Sequence, residues 1–117
     1  MPDPRNIAEL ISSCAAAIPD RPAVMDGART ISFGELDREV SLLAAGLAGC
    51  GIKPGMRVAL LVKPSIEFIT LTFALFRAGA VIVLVDPGIG AMNMGACLGE
   101  ARPEAYAQSA PELKPVP

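Results

Sequence analysis

The sequence predicts an α/β fold: a small β-hairpin and a parallel βαβ unit, flanked by helices. Three observations carry this. Asp26-Gly27 sits between the short runs Ala23-Val24-Met25 and Arg29-Thr30-Ile31, and Asp-Gly between such runs is a hairpin signal. Ser32 and Glu35 match a capping box ahead of a helical apolar period. Two apolar runs with little alternation, 57–62 and 81–85, flank a helical pattern. Such runs suit strands covered on both faces, the usual state in parallel sheets.

In chain order, Asn6 is a good N-cap with Glu9 three residues on, close to a capping-box signature. Ile7, Leu10, Ile11, Cys14, Ala15 and Ile18 then share one helical face, and Pro19 and Pro22 end the pattern. The spacing predicts an amphipathic helix over 7–18, followed by the hairpin. A second helix is predicted from about 33 to 49, with Ile31 and Leu36 placed as a hydrophobic staple. Its inward face is Phe33, Leu36, Val40, Leu43, Ala44 and Leu47, and Gly49 and Gly51 offer a left-handed cap. Lys53-Pro54-Gly55 has the residue order of a type II turn.

The strand 57–62 comes next, then a helix over 66–78 with Ser65 as N-cap. Ile66, Phe68, Ile69, Leu71, Phe73, Leu75 and Phe76 go nearly all round that helix, which implies burial on most sides. Gly79 caps it, the strand Val81 to Val85 follows, and Asp86-Pro87-Gly88 ends the strand. The two strands are expected to be parallel with a right-handed crossover. A further helix is predicted over 91–101, with Met94, Cys97, Leu98 and Ala101 inward, and Arg102-Pro103 stops it. Residues 107–117, with Pro111, Pro115 and Pro117, are expected to be a disordered tail behind a domain of residues 1–106.

Composition narrows the function classes. A chain of 117 residues suits one domain, and 52% hydrophobic residues argue against general disorder. The absence of His excludes Ser-His-Asp and Cys-His catalysis and any His metal ligand. Cys14, Cys50 and Cys97 form no Cys-x-x-Cys pair. They are expected as buried reduced thiols of a cytoplasmic protein. A net charge of −2 without a basic block, and no Trp, argue against nucleic acid. Residues 68–85 form an apolar stretch, but Arg77 sits inside it. A charge at mid-span costs roughly 2.5–3.5 kcal/mol on insertion, so a soluble core is expected and no transmembrane segment.

The motifs point to a family. Ile31-Ser32-Phe33-Gly34-Glu35-Leu36 resembles a core motif of the AMP-forming acyl-adenylating superfamily, the acyl-CoA synthetases, luciferases and peptide-synthetase adenylation domains. Phe76-Arg77-Ala78-Gly79-Ala80 with the apolar strand up to Asp86-Pro87 resembles a second. Gly51 to Ala59 is similar to the linker between them, with Met56 where Asp is usual. Val85 to Gly90, and Cys97-Leu98, Glu100-Ala101 and Pro103-Glu104-Ala105, look like the olefin-biosynthesis β-lactone synthetases of that superfamily.

This resemblance, over about residues 6–106, implies the N-terminal part of the adenylate-forming large domain, with an incomplete sheet. It implies ATP and Mg2+ as cofactors of the full-length enzyme and a fatty or β-hydroxy acid as its substrate. The family's phosphate loop, Ser/Thr/Gly-rich and ending in Lys, is missing here. Its adenine motif and catalytic Lys lie further along the family's chain. No catalytic, cofactor-binding or metal-binding residue is therefore carried over, and this stretch is expected to be inactive alone, as a truncated or partial ligase.

The remaining candidates have plain readings beside functional ones. Gly88-Ile89-Gly90 suggests a dinucleotide loop, but Asn93 stands where the motif needs Gly, so a turn is favoured. Asp86 at a strand end is expected to cap a turn. Lys63 and Arg77 are candidate anion contacts, weighed against solvated element ends, and Glu35 is the partner of Ser32. Met92 and Met94 have nothing to make them ligands. Two rivals stand beside the ligase reading: an interaction module that binds a full-length homologue, and a small Rossmann-like nucleotide binder. Helix 66–78 and strand 81–85 are expected to expose apolar surface and to favour self-association.

Overall fold

The structure is a computed structural model that describes residues 6–85, 90–109 and 112–115. The element order is α1 (Glu9–Ala17), β1 (Pro22–Asp26), β2 (Arg29–Ser32), α2 (Phe33–Gly49) and β3 (Arg57–Leu60), followed by α3 (Ile66–Arg77), β4 (Val81–Leu84), α4 (Ala91–Ala101), β5 (Ala105–Ser109) and β6 (Glu112–Pro115). β1 and β2 pair antiparallel around Gly27, and β3 pairs parallel with β4. The hairpin and the βαβ unit are therefore both present. The larger sheet has the order β4-β3-β5-β6, with β5 parallel to β3 and β6 antiparallel to β5.

The helix ends follow their sequence signals. Ser32 Oγ accepts from the Glu35 N–H at 3.2 Å, and Glu35 Oε1 accepts from the Ser32 N–H at 3.3 Å, completing the capping box of α2. Ile31 and Leu36 are both buried in the core. At the other end of α2, the Ile52 N–H donates to Leu47 O and the Gly51 N–H to Ala48 O, with Gly51 at φ +96°. That is a Schellman motif, closed by the buried pair Ile52 and Leu47. Ser65 Oγ accepts from the Phe68 N–H at 3.1 Å and opens α3.

The core lies between the helices and the larger sheet. Leu36 and Val40 of α2, Leu71 and Leu75 of α3, and Val58 and Leu60 of β3 are almost wholly buried. The Lys53–Met56 turn is joined to the α3–β4 corner. The Gly55 N–H donates to Gly79 O at 2.9 Å and the Val81 N–H to Met56 O at 2.7 Å. Within the turn, Met56 Sδ lies 3.2 Å from the Lys53 nitrogen as a sulfur acceptor. Arg57, the first residue of β3, donates from Nε to Ala101 O, the last carbonyl of α4, and to Arg102 O just after it.

The structure also departs from expectation. Among the described residues β4 is not an interior strand: it is an edge of the sheet, and β3 and β5 are the strands with neighbours on both sides. The non-alternating sequence of β4 describes a covered strand, yet Val81 is 50% exposed and Leu84 66%. α3 shows the reverse, since none of its apolar residues is exposed. α2 and the sheet supply the covering that its apolar circumference requires, so the expected exposed surface lies on β4 and not on α3. On α1, Ile11 is buried but Ile7, Leu10 and Ile18 of the predicted inward face are exposed. Cys14 is half-buried and Cys50 is exposed, because Cys50 follows the last inward position of α2, Leu47. Both β3 and β4 are shorter than their apolar runs.

Residues 105–109 and 112–115, placed largely in the expected tail, are strands. That expectation weighed apolar side chains alone. The open edge of β3 also needs backbone partners, and β5 meets that need through the register Val58↔Ala105 to Leu60↔Ala107.

Arg29 Nη1 donates to Glu67 Oε1 at 2.6 Å and ties the hairpin to the first turn of α3. The hydrogen bond from Arg29 holds the Glu67 carboxyl below the usual carboxylate range. Its folded pKa is depressed, so this contribution is present at neutral pH, above the unfolded value. It is lost as pH falls through the folded value. The pair is solvent-exposed, so salt screens it. Glu67→Gln is expected to flatten the acid limb of the stability–pH curve slightly at low salt and to leave it unchanged at high salt, as read by urea unfolding across that pH range.

Candidate functional site

The densest polar constellation is built by α1, α2 and α3 around Arg77. Its Nη1 donates to Ser41 Oγ at 2.7 Å. Its Nη2 faces Ser12 Oγ at 2.8 Å, Asp37 Oδ1 at 3.1 Å and the Ala8 carbonyl at 3.1 Å. Nη2 has two hydrogens for these three acceptors, so one bond is shared. Ser12 Oγ in turn donates to Asp37 Oδ1 at 2.9 Å. Beside this cluster Asn6 Nδ2 donates to Phe76 O at 2.6 Å, while Asn6 Oδ1 accepts from the Ala8 N–H. The helical registers explain the convergence. Ser12 lies mid-way along α1, Asp37 and Ser41 are four apart on α2, and Arg77 is the last residue of α3.

Chemically this is a clamp. The Arg77 side chain is 16% exposed and the Asp37 side chain 30%. Four oxygens occupy the two terminal nitrogens, and Nε is buried without a partner among the described residues. The guanidinium is neither a solvated helix end nor an anion contact open to ligand. It joins three helices.

The other sequence candidates do not converge with it. Glu35 caps α2, as predicted. Lys63 is exposed in the loop between β3 and α3. Asp86 and Gly88-Ile89 lie outside the described residues. Gly90, at φ +91°, precedes α4, and Met92 is 89% exposed. The side chains of Met94 and Cys97 are not among those described, whereas Leu98 and Ala101 are half-buried. Sequence reasoning missed the clamp because Ser12, Asp37 and Ser41 are unremarkable on solvent-facing helical positions. Only the packing angle of α1 across α2 and α3 brings them to Arg77.

These residues do not fit a nucleotide triphosphate or its Mg2+. No group of three or more His, Cys, Asp or Glu that could hold a metal occurs among the described residues. A groove at the α1–β1 connection, of about 400 Å³, is lined by Ala17 to Pro22. Its only charged members, Asp20 and Arg21, are exposed. Among the described residues no helix is long and apolar enough to cross a membrane.

Comparison with known proteins places the scaffold. The olefin β-lactone synthetase of Stenotrophomonas maltophilia is 43% identical over 115 residues, which covers 88% of this chain and 21% of that protein. The olefin β-lactone synthetase of Xanthomonas campestris pv. campestris is 53% identical over 77 residues, covering 66% of this chain and 14% of that protein. The chain thus spans about a fifth or less of the length of these relatives. The N-terminal subdomain of Klebsiella oxytoca NpsA superposes with a TM-score of 0.85 at 26% identity, over 96% of this chain and 29% of that one. The family model described as AMP-binding enzyme matches residues 11–115. The fold is thus shared with an N-terminal subdomain of known structure, and the chain belongs to the AMP-binding enzyme family.

Proposed function

We propose that these residues form the N-terminal scaffold of an ATP-dependent acyl-activating ligase. In the whole enzyme a carboxylic acid is converted to an acyl-adenylate and then to a CoA thioester or a β-lactone. The observation that carries this reading is the 43% identity to an olefin β-lactone synthetase across 88% of the chain. That relative's name favours a β-hydroxy acid as substrate, since a β-lactone closes when the β-hydroxyl oxygen attacks the acyl-adenylate carbonyl, losing its proton as the bond to AMP breaks and AMP leaves. The enzyme acts in the cytoplasm on a fatty-acid-derived substrate. In it, ATP and Mg2+ are held by residues outside this stretch, because the most concentrated charge site among the described residues, Arg77, is committed to Asp37 and its neighbours.

These 117 residues alone do not form an adenylate. A departing pyrophosphate needs preorganised N–H donors and cationic charge, and the sequence has no Ser/Thr/Gly-rich loop ending in Lys. The test is ATP–pyrophosphate exchange with a long-chain β-hydroxy acid. It is run on this chain and on a chimera in which it replaces the matching segment of the Stenotrophomonas relative. Exchange is expected from the chimera and not from the chain alone. Exchange by the chain alone, or none by a folded chimera, would overturn the reading.

A further inference from the structure

The turn ahead of β3 is closed by a sulfur atom. Met56 Sδ accepts the Lys53 N–H at 3.2 Å, and the Met56 N–H returns a bond to Lys53 O at 3.1 Å. Asp is usual at this place in the linker that Gly51 to Ala59 resembles, and its carboxylate oxygens occupy the same δ position along the side chain. A thioether there is a weaker acceptor than a carboxylate, but it is also apolar. The Met56 side chain is half-buried and packs against the hydrophobic core. The same turn holds the α3–β4 corner, since the Gly55 N–H donates to Gly79 O and the Val81 N–H to Met56 O. Met25 and Met92, by contrast, are 76% and 89% exposed and take no part in the core.

We propose that Met56 is an oxidation site for hydroperoxides, and that its sulfoxide loosens the corner between β3 and β4. A sulfur lone pair takes the terminal oxygen of the peroxide. The S–O bond forms as the O–O bond breaks, and the sulfur is oxidised by two electrons. The proton of the transferred oxygen passes to the departing one, which leaves as water or an alcohol. The product fails in both roles of the thioether. No oxygen fits between a sulfur and a nitrogen 3.2 Å apart, so the epimer with its oxygen toward Lys53 forces the turn open. The other epimer brings a polar oxygen into the packing that Met56 makes with the core, where an unpaired polar group is costly. Oxygen added to Met25 or Met92 meets solvent instead. Among the described methionine side chains, the structural effect of oxidation is therefore concentrated at Met56. It is reversible, because sulfoxide reductases return the thioether.

Hydrogen peroxide is the probe. The chain is oxidised stepwise, each methionine's conversion is read by peptide mass spectrometry, and thermal unfolding follows every step. Met25 and Met92 are expected to oxidise first without moving the midpoint. The midpoint is then expected to fall in proportion to Met56 conversion, by roughly 3–6 °C when complete, the shift that one lost interaction makes in a domain of this size. The Lys53 and Val81 amides are expected to exchange about tenfold faster in that form. Treatment with the two epimer-specific sulfoxide reductases is expected to reverse both changes. Met56→Leu keeps the apolar packing without an oxidisable sulfur and is expected to show no peroxide-dependent fall. Met56→Asp, with an acceptor at the same position, serves in its place if the leucine variant does not fold. The cysteines are common to all three chains, so the difference between them reads Met56 alone. A fall of equal size in either variant overturns the proposal. So does full conversion of Met56 at an unchanged midpoint, or a native Met56 that stays reduced after Met25 is fully oxidised.

Discussion

Replacing Arg77 by alanine is expected to destabilise the chain by about 3 kcal/mol, the low end of the range for breaking a buried ion pair. The low end applies because the Asp37 side chain is 30% exposed and keeps some solvent. Whole domains are stable by only about 5–15 kcal/mol, so the loss is large. Two effects contribute. Asp37 loses its cation and retains the Ser12 hydroxyl as a donor, and the three helices lose the group that bonds Ala8, Ser12, Asp37 and Ser41 together. Urea unfolding should show a lower midpoint at unchanged slope. Arg77→Met keeps most of the stem packing and removes the charge. It should recover little if electrostatics and hydrogen bonding dominate, and most of the loss if packing does. Arg77→Lys should fall between, since an ammonium cannot reproduce a planar fork across two helices. The α1 amides should exchange faster in all three variants, because the contacts of Arg77 with Ala8 and Ser12 tie α1 to the end of α3.

What was legible in the sequence is what short-range chemistry determines. Ser32 and Glu35 are three residues apart, and their reciprocal hydrogen bonds need only that spacing. The Gly51 stop, the Ser65 cap and the Gly27 turn are equally local. The parallel pairing of β3 with β4 was legible because a helix of α3's length between two apolar runs leaves few other connections. The family was legible for the same reason, since its motifs are made of these caps and corners.

What was not legible depends on distant residues. The apolar run of β4 gives its composition but not its neighbours, and so could not show that it lies at an edge. The pairing of β5 with β3 joins positions 47 apart, Val58 and Ala105, through backbone groups that carry no sequence signature. The Arg77 clamp joins positions 65 and 40 apart. In each case the deciding term is the relative placement of elements, which hydrophobic period does not encode. The candidate site has the same lesson in reverse. The residues singled out for charge or glycine content were scattered, and the one that became a centre, Arg77, became a structural one.

The corner that identifies the family supplies the other large effect. Gly79→Ala is expected to cost about 2–5 kcal/mol from two sources of similar size. Gly79 has φ +81°, and a residue with a Cβ loses about 1–2 kcal/mol in the left-handed region. The new Cβ would also lie 3.1 Å from Pro54 Cβ and 3.2 Å from Pro54 Cα. Pro54 cannot easily retreat, because the adjoining Gly55 and Met56 are hydrogen-bonded to Gly79 and Val81 across the same corner. Crowding of this kind typically costs about 1–3 kcal/mol. Gly46→Ala is the control of opposite sign. Gly46 lies within α2, and nothing stands within 4 Å of its added Cβ, so that variant should gain about 0.5–1 kcal/mol from helix propensity. Adding Pro54→Gly to Gly79→Ala removes the crowding atoms Cβ and Cγ but not the strained φ. A double-mutant cycle should therefore return a favourable coupling of about 1 kcal/mol and leave the remainder. Thermal unfolding of the four variants measures all three quantities. A Gly79→Ala midpoint equal to that of the parent chain would mean that the corner opens without loss, and that the turn at Pro54 does not fix the path from α3 into β4.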